Sequence, residues 1–110
     1  MGASKNLYFS EEQNTTANLF KALAHPARIA IIQHILATRS CICGDLVDVL
    51  PLSQATVSQH LKELKSANII KGSIDGNSIC YCLNEDTLNE IRVFLEILLQ
   101  GAENKNKPCC

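Results

Sequence analysis

The 110 residues are enough for one domain with a modest core and too few for two independent ones. A hydrophobic fraction of 46% and a charged fraction of 19% are those of an ordinary soluble domain, and no apolar run reaches the roughly 18 residues of a membrane span. Ten basic against eleven acidic residues give a net charge of −1, which excludes a uniformly basic, phosphate-binding surface and makes the distribution of charge the informative quantity.

Residues 1–10 open the chain without periodicity and are expected to be flexible. Met1 to Lys5 lacks the apolar stretch and cleavage site of a secretory signal, and Gly2 with Lys5 and Asn6 does not match an acylation signal, so the expected compartment is the cytoplasm, with reduced thiols. From about Glu11 to Ala24, Ala17, Leu19, Phe20, Leu23 and Ala24 are the apolar positions of a first helix. Pro26 suits the first turn of a second, where its missing N–H costs nothing. In that second helix Ile29, Ile32, Ile35 and Leu36 recur at helical spacing and predict one buried stripe. His25, before a proline at a helix junction, reads as a packing or capping residue.

A short third helix is expected from about Gly44 to Leu50, ended by Pro51. Ser53 is a good N-cap for a fourth helix from Gln54 to about Ala67. There Val57, Leu61 and Leu64 fall on one face, leaving Gln54, Thr56, Ser58, Gln59, Lys62 and Lys65 as a polar, donor-rich remainder. Ile69 to Ile74 and Ser78 to Leu83 read as two strands joined at Asp75-Gly76-Asn77, whose residues tolerate positive φ. Asn84 or Asp86 can cap a last helix to about Gln100, apolar on more than one face through Leu88, Ile91, Val93, Phe94, Leu95, Ile97, Leu98 and Leu99. A helix so apolar in so small a domain predicts a second copy to cover it. Residues 101–110 are expected to be a flexible, Cys-containing tail beyond a domain over 11–100.

The fold class is therefore mainly α with a β-hairpin wing, in the order α-α-α-α-β-β-α: a winged helix-turn-helix whose turn is Leu50-Pro51-Leu52-Ser53. The fourth helix carries the side chains that major-groove readout uses, Gln for adenine edges, Ser and Thr for either strand, Lys for phosphate or guanine. Acidic residues crowd elsewhere, and Lys62, Lys65 and Lys71 form a local basic strip. Candidate DNA-contacting residues are Ser53, Gln54, Thr56, Ser58, Gln59, His60, Lys62, Lys65, Lys71 and, on the wing, Asn77.

Ala24-His25-Pro26-Ala27-Arg28, Gly44-Asp45-Leu46 and Ser53-Gln54-Ala55-Thr56-Val57-Ser58-Gln59-His60-Leu61-Lys62-Glu63-Leu64 resemble the ArsR/SmtB family of metal-responsive repressors, over about Ala17 to Leu99. The resemblance implies a homodimer, joined through its first and last helices, that occupies an inverted-repeat operator in double-stranded DNA until an inducer binds. It implies no enzyme activity and no membrane. It also implies that the helix starting near Gln54 enters the major groove while the hairpin around Gly76 touches backbone or minor groove. The family's wing arginines are replaced here by Ser73, Asn77 and Ser78, so wing contacts are expected to be weak.

Six cysteines occur as Cys41-Ile42-Cys43, Cys80-Tyr81-Cys82 and Cys109-Cys110. In reducing surroundings this spacing suggests soft-metal or thiol chemistry more than structural disulfides. Cys41 and Cys43 precede the expected third helix, whose N-terminal partial positive charge favours thiolate. Family members that sense arsenite, antimonite, cadmium or lead resemble this arrangement, with Gly44 here separating Cys43 from Asp45. Two thiols do not complete a trigonal site. The tail beyond Gly101 reaches on the order of 15–18 Å by random-coil scaling, enough for Cys109 or Cys110 to supply the third.

Cys80 and Cys82 alternate with Ile79, Tyr81 and Leu83 and read as small apolar strand residues. The last helix offers Asp86, Glu90 and Glu96 but no histidine, so the family's Asp/His zinc-type site is not expected. The expected function is a sequence-specific repressor that needs no cofactor to fold and is released from DNA by thiolate binding of As(III), Sb(III), Cd(II) or Pb(II). The alternative is a thiol-redox or persulfide-responsive repressor of the same fold. A small thiol oxidoreductase is disfavoured by the absence of a βαβ pattern, of an acid–base pair and of a nucleotide fingerprint.

Overall fold

The computed structural model describes residues 8–38, 42–43, 50–75 and 78–105, with side chains at 8–38, 50–72 and 80–103. Helix α1 (Glu11–Leu23) begins with a capping box: the Ser10 hydroxyl accepts from the Gln13 N–H and the Gln13 side chain accepts from the Ser10 N–H, each at 3.0 Å. Two N–H groups that the first turn cannot satisfy internally are thereby paired. Helix α2 (Pro26–Thr38) starts at the proline, after a break at Ala24 and His25.

The buried positions of α2 are Ile31 and Ile35, whereas Ile29 and Leu36, expected in the stripe, are exposed and Ile32 is half-buried. Composition explains the difference. PARIAIIQHILAT is apolar on nearly every side, so spacing does not select a face, and packing against α1 and helix α3 (Gln54–Ser66) does.

Two further differences concern element ends. Spacing alone predicts no strand at Ile42–Cys43, but these residues form β1, because a two-residue strand leaves no alternation to detect. It pairs antiparallel with β3 (Ser78–Leu83), which pairs with β2 (Ile70–Asp75), giving the sheet order β1-β3-β2. Helix α4 (Glu85–Lys105) runs past Gln100 through Gly101, so the tail expected from Gly101 begins as helix. The expected helix at 44–50 and the turn at 76–77 fall on positions outside the described residues, apart from Leu50.

Helix α3 stops abruptly in a Schellman arrangement. The Ile69 N–H donates to the Leu64 carbonyl and the Asn68 N–H to the Lys65 carbonyl, both at 3.0 Å, with Asn68 at φ 62°. Asparagine tolerates that left-handed geometry better than most residues. The reversal drops fully buried Ile69 into the core and sends the chain directly into β2. The core joins Leu19 and Ala22 of α1, Ile31 and Ile35 of α2, Val57, Leu61 and Leu64 of α3, and Ile69 and Ile70 at the start of the hairpin.

Helix α4 packs on α1 through an edge-to-face contact of Phe20 with Phe94, ring centroids 5.6 Å apart. Along the same helix Val93, Leu95, Ile97, Leu98 and Leu99 are exposed. Among the described residues no helix is long and apolar enough to cross a membrane.

Candidate nucleic-acid interface

The site is built on α3. Ser53 sits at its N-cap in extended backbone, and its hydroxyl accepts from the Thr56 N–H at 3.2 Å and lies 2.9 Å from the Thr56 hydroxyl. These two candidate contact residues thus also hold the first turn of the helix. Val57, Leu61 and Leu64 anchor the inner face, and Gln54, Ala55, Thr56, Ser58, Gln59, Lys62, Glu63 and Lys65 are exposed. The Gln59 amide donates to the Glu63 carboxylate at 3.1 Å, which pre-orients it along the helix surface.

A rigid helix with a dry seam and a polar, amide- and lysine-bearing outer face is the geometry that enters a major groove. Lys71, on β2 beside the C-terminal end of α3, is also exposed, so all three lysines of the basic strip remain available to phosphate. Asn77 lies outside the described residues.

His60 does not belong to the outer face. Only 8% exposed, it turns toward α2, where its Nδ1 accepts from the Arg28 Nε–H at 3.1 Å. Spacing explains the difference: His60 is three residues after Val57 and one before Leu61, on the edge of the buried seam. Arg28 continues to the Ala22 carbonyl through Nη1 at 3.1 Å, tying the end of α1, the start of α2 and the middle of α3 together.

The His25 ring lies against that of His60, centroids 4.3 Å apart, while its own Nδ1 accepts from the Ala27 N–H at 3.0 Å. His25 is therefore the capping and packing residue that its place before Pro26 suggests. Burial, and secondarily the neighbouring His25 and Arg28, lower the His60 pKa below the usual imidazole value, with Glu63 opposing. The neutral ring has the lone pair that Arg28 needs as acceptor. Sequence reasoning missed Arg28, whose only signal was its place two residues after Pro26 in the Ala-His-Pro-Ala-Arg run.

The cysteines divide into those that the structure places and those that it does not. Cys41, Cys109 and Cys110 lie outside the described residues. Cys43 is in β1, directly opposite Cys80 of β3. Cys80 and Cys82 are disulfide-bonded, so the expectation that they serve only as small apolar strand residues is corrected. The intervening Tyr81 and the following Leu83 pack on the core, which puts Cys80 and Cys82 on the other face of the sheet. Among the described residues no cluster of three or more His, Cys, Asp or Glu side chains is arranged to hold a metal ion.

Comparison with known proteins agrees with this architecture. A model of a helix-turn-helix domain matches residues 23–72, the stretch from the end of α1 into β2. The chain is 38% identical over 78 residues to the transcriptional repressor SmtB of Mycobacterium tuberculosis, covering 71% of this chain and 57% of that one. It thus spans little more than half of that repressor's length. An arsenical resistance operon repressor of Staphylococcus xylosus is 31% identical over 93 residues, covering 82% of this chain and 88% of that one. An ArsR-like transcriptional regulator from Rhodococcus sp. RHA1 shares the fold with a TM-score of 0.72 at 22% identity, over 84% of this chain and 87% of that one.

Proposed function

The chain belongs to the ArsR/SmtB family of winged helix-turn-helix transcriptional repressors, and from that membership we propose that it represses transcription as a homodimer bound to an inverted-repeat operator, with release triggered at its thiols. The observation that carries the DNA reading is the outer face of α3: Gln54, Ser58, Gln59, Lys62 and Lys65 are exposed on a helix whose opposite side is locked into the core. Two such helices related by a two-fold axis would read half-sites about one helical turn apart. The exposed apolar side of α4 supports the dimer, since Val93, Ile97 and Leu98 on one small domain are otherwise left in water.

The inducer in this reading is a soft metal(loid), arsenite first. The Cys-x-Cys at Cys41 and Cys43 supplies two soft ligands, and Cys109 or Cys110 a third, which suits As(III), Sb(III), Cd(II) or Pb(II). A relative named for arsenical resistance supports that choice. Bound ion would pull on the segment that leads into α3 and shift the two reading helices off their half-site spacing. A coupling of about 1–3 kcal/mol suffices for a 5–150-fold loss of affinity. The C41S/C43S variant keeps operator affinity and loses release by arsenite; retained release in that variant would overturn the assignment. A thiol-redox trigger is the second reading, favoured by the disulfide-bonded state of Cys80 and Cys82.

A further inference from the structure

Strand β1 is only two residues long, yet its register sets one of them, Cys43, directly opposite Cys80. Opposed residues of an antiparallel pair have Cα atoms about 4.5–5.5 Å apart. Disulfides span Cα separations of roughly 4.4–6.8 Å, so the ladder itself brings these two positions to bridging distance. Cys80 is disulfide-bonded and 5% exposed. We propose that Cys43 and Cys80 form a cross-strand dithiol–disulfide pair, a redox site in the sheet that shares only Cys43 with the metal ligand set proposed above.

The consequence follows from what lies between the two cysteines. The chain from Cys43 to Cys80 contains all of α3 and all of β2, so one bond at the root of the sheet closes a loop around the entire reading unit. A linked Cys43 also has no thiolate to give. If the metalloid reading above holds, oxidation and metalloid therefore compete for one sulfur, and the linked chain is deaf to arsenite.

The oxidant is a small-molecule disulfide, RSSR, of the glutathione type. The Cys43 thiolate attacks one sulfur of RSSR, forming a mixed disulfide and expelling RS⁻. The Cys80 thiol loses its proton to water and its sulfur attacks the Cys43 sulfur, expelling the second RS⁻. Two protein thiols have then lost two protons and two electrons, and RSSR has become two RSH.

The test uses the full chain carrying C41S/C82S/C109S/C110S, which keeps Cys43 and Cys80 alone. It is equilibrated with reduced and oxidised glutathione, quenched with acid, digested and weighed. The expected product is one intramolecular link, two hydrogens lighter, joining the peptide bearing Cys43 to the peptide bearing Cys80. In the otherwise wild-type chain C80S removes that link, a measurement that stands even if the fourfold variant folds poorly. Stable glutathionylation without a link, or a wild-type chain in which Cys80 is joined to Cys82 or to the tail, would overturn the pair.

Operator titration separates this inference from the DNA reading. The linked form is expected to bind the operator at least fivefold more weakly than the reduced form. Equal affinities would overturn the regulatory consequence. Failure of both forms to bind any duplex selectively would overturn the DNA reading and leave the link standing.

Discussion

Arg28 donates through Nε to Nδ1 of His60 across 3.1 Å, so the first turn of α2 holds the inner face of the helix whose outer face is the proposed reading surface. The bond is partly buried, and the same guanidinium closes a second contact to the Ala22 carbonyl. Neither partner touches the outer face of α3, and both decide where that face points.

Replacing Arg28 removes a charged donor and leaves a nearly buried imidazole nitrogen without its partner. R28A should lower folding stability by about 1.5–3 kcal/mol, the range for hydrogen bonds to charged groups. Urea denaturation of the reduced chain checks this. H60A should cost a similar amount, and R28A/H60A less than the sum of the two, because the residues share one interaction.

Acid should destabilise the domain through the same residue. The folded pKa of His60 is depressed below its ordinary value of 6.5, so the unfolded chain takes up a proton at a pH where the folded one does not. Stability therefore rises with pH across the interval from the folded value up to the unfolded one, and is lost as pH falls through it. Urea midpoints between pH 7.5 and 5.5 should fall in the wild type and fall less in H60Q.

The outer face should behave in the opposite way, affecting DNA and not folding. Q54A or Q59A is expected to weaken operator binding by about 1–3 kcal/mol, mostly through lost base discrimination. K62Q, K65Q and K71Q should each weaken binding to all duplexes alike and reduce the salt slope by about 1. All five should leave the urea midpoint within about 0.5 kcal/mol of wild type, as surface substitutions do. Anisotropy titrations at several salt concentrations read both effects.

Ile97 and Leu98 are 62% and 53% exposed on α4. In the proposed dimer they are covered, so I97E/L98E should give a folded monomer by sedimentation and a large loss of operator affinity, because each half-site then binds alone. A dimer that survives both charges would place the interface elsewhere.

Reduction should loosen the domain if Cys43 and Cys80 are joined. Closing a loop of this length stabilises by about 2–4 kcal/mol in the chain-entropy description. The urea midpoint of the linked chain should exceed that of the reduced chain by a corresponding amount, and C80S should abolish the difference.

Most of the frame was legible in the residues because local chemistry and packing agree there. Pro26, Ser53 and Asn84 mark helix starts where the structure has them, and Val57, Leu61 and Leu64 face inward as their spacing requires. What was not legible depended on tertiary partners. The face of α2 is set by contact, since the helix is apolar on nearly every side. His60 sits at the margin of the buried seam, where spacing does not choose between faces and the partner Arg28 does. The role of Cys80 hinges on strand β1, too short to leave a pattern, and its register across the sheet is a long-range fact that no local run of residues encodes.

Whether α3 reads DNA sequence is decided by fluorescence anisotropy of the reduced chain with an operator duplex selected from random sequence, competed against unselected duplex at physiological salt. The expected result is a preference of about 10³-fold or more, typical of specific readers, that collapses in Q54A/Q59A. Equal affinity for the two duplexes, or a preference that survives that double substitution, would mean that the outer face of α3 is not the reading surface.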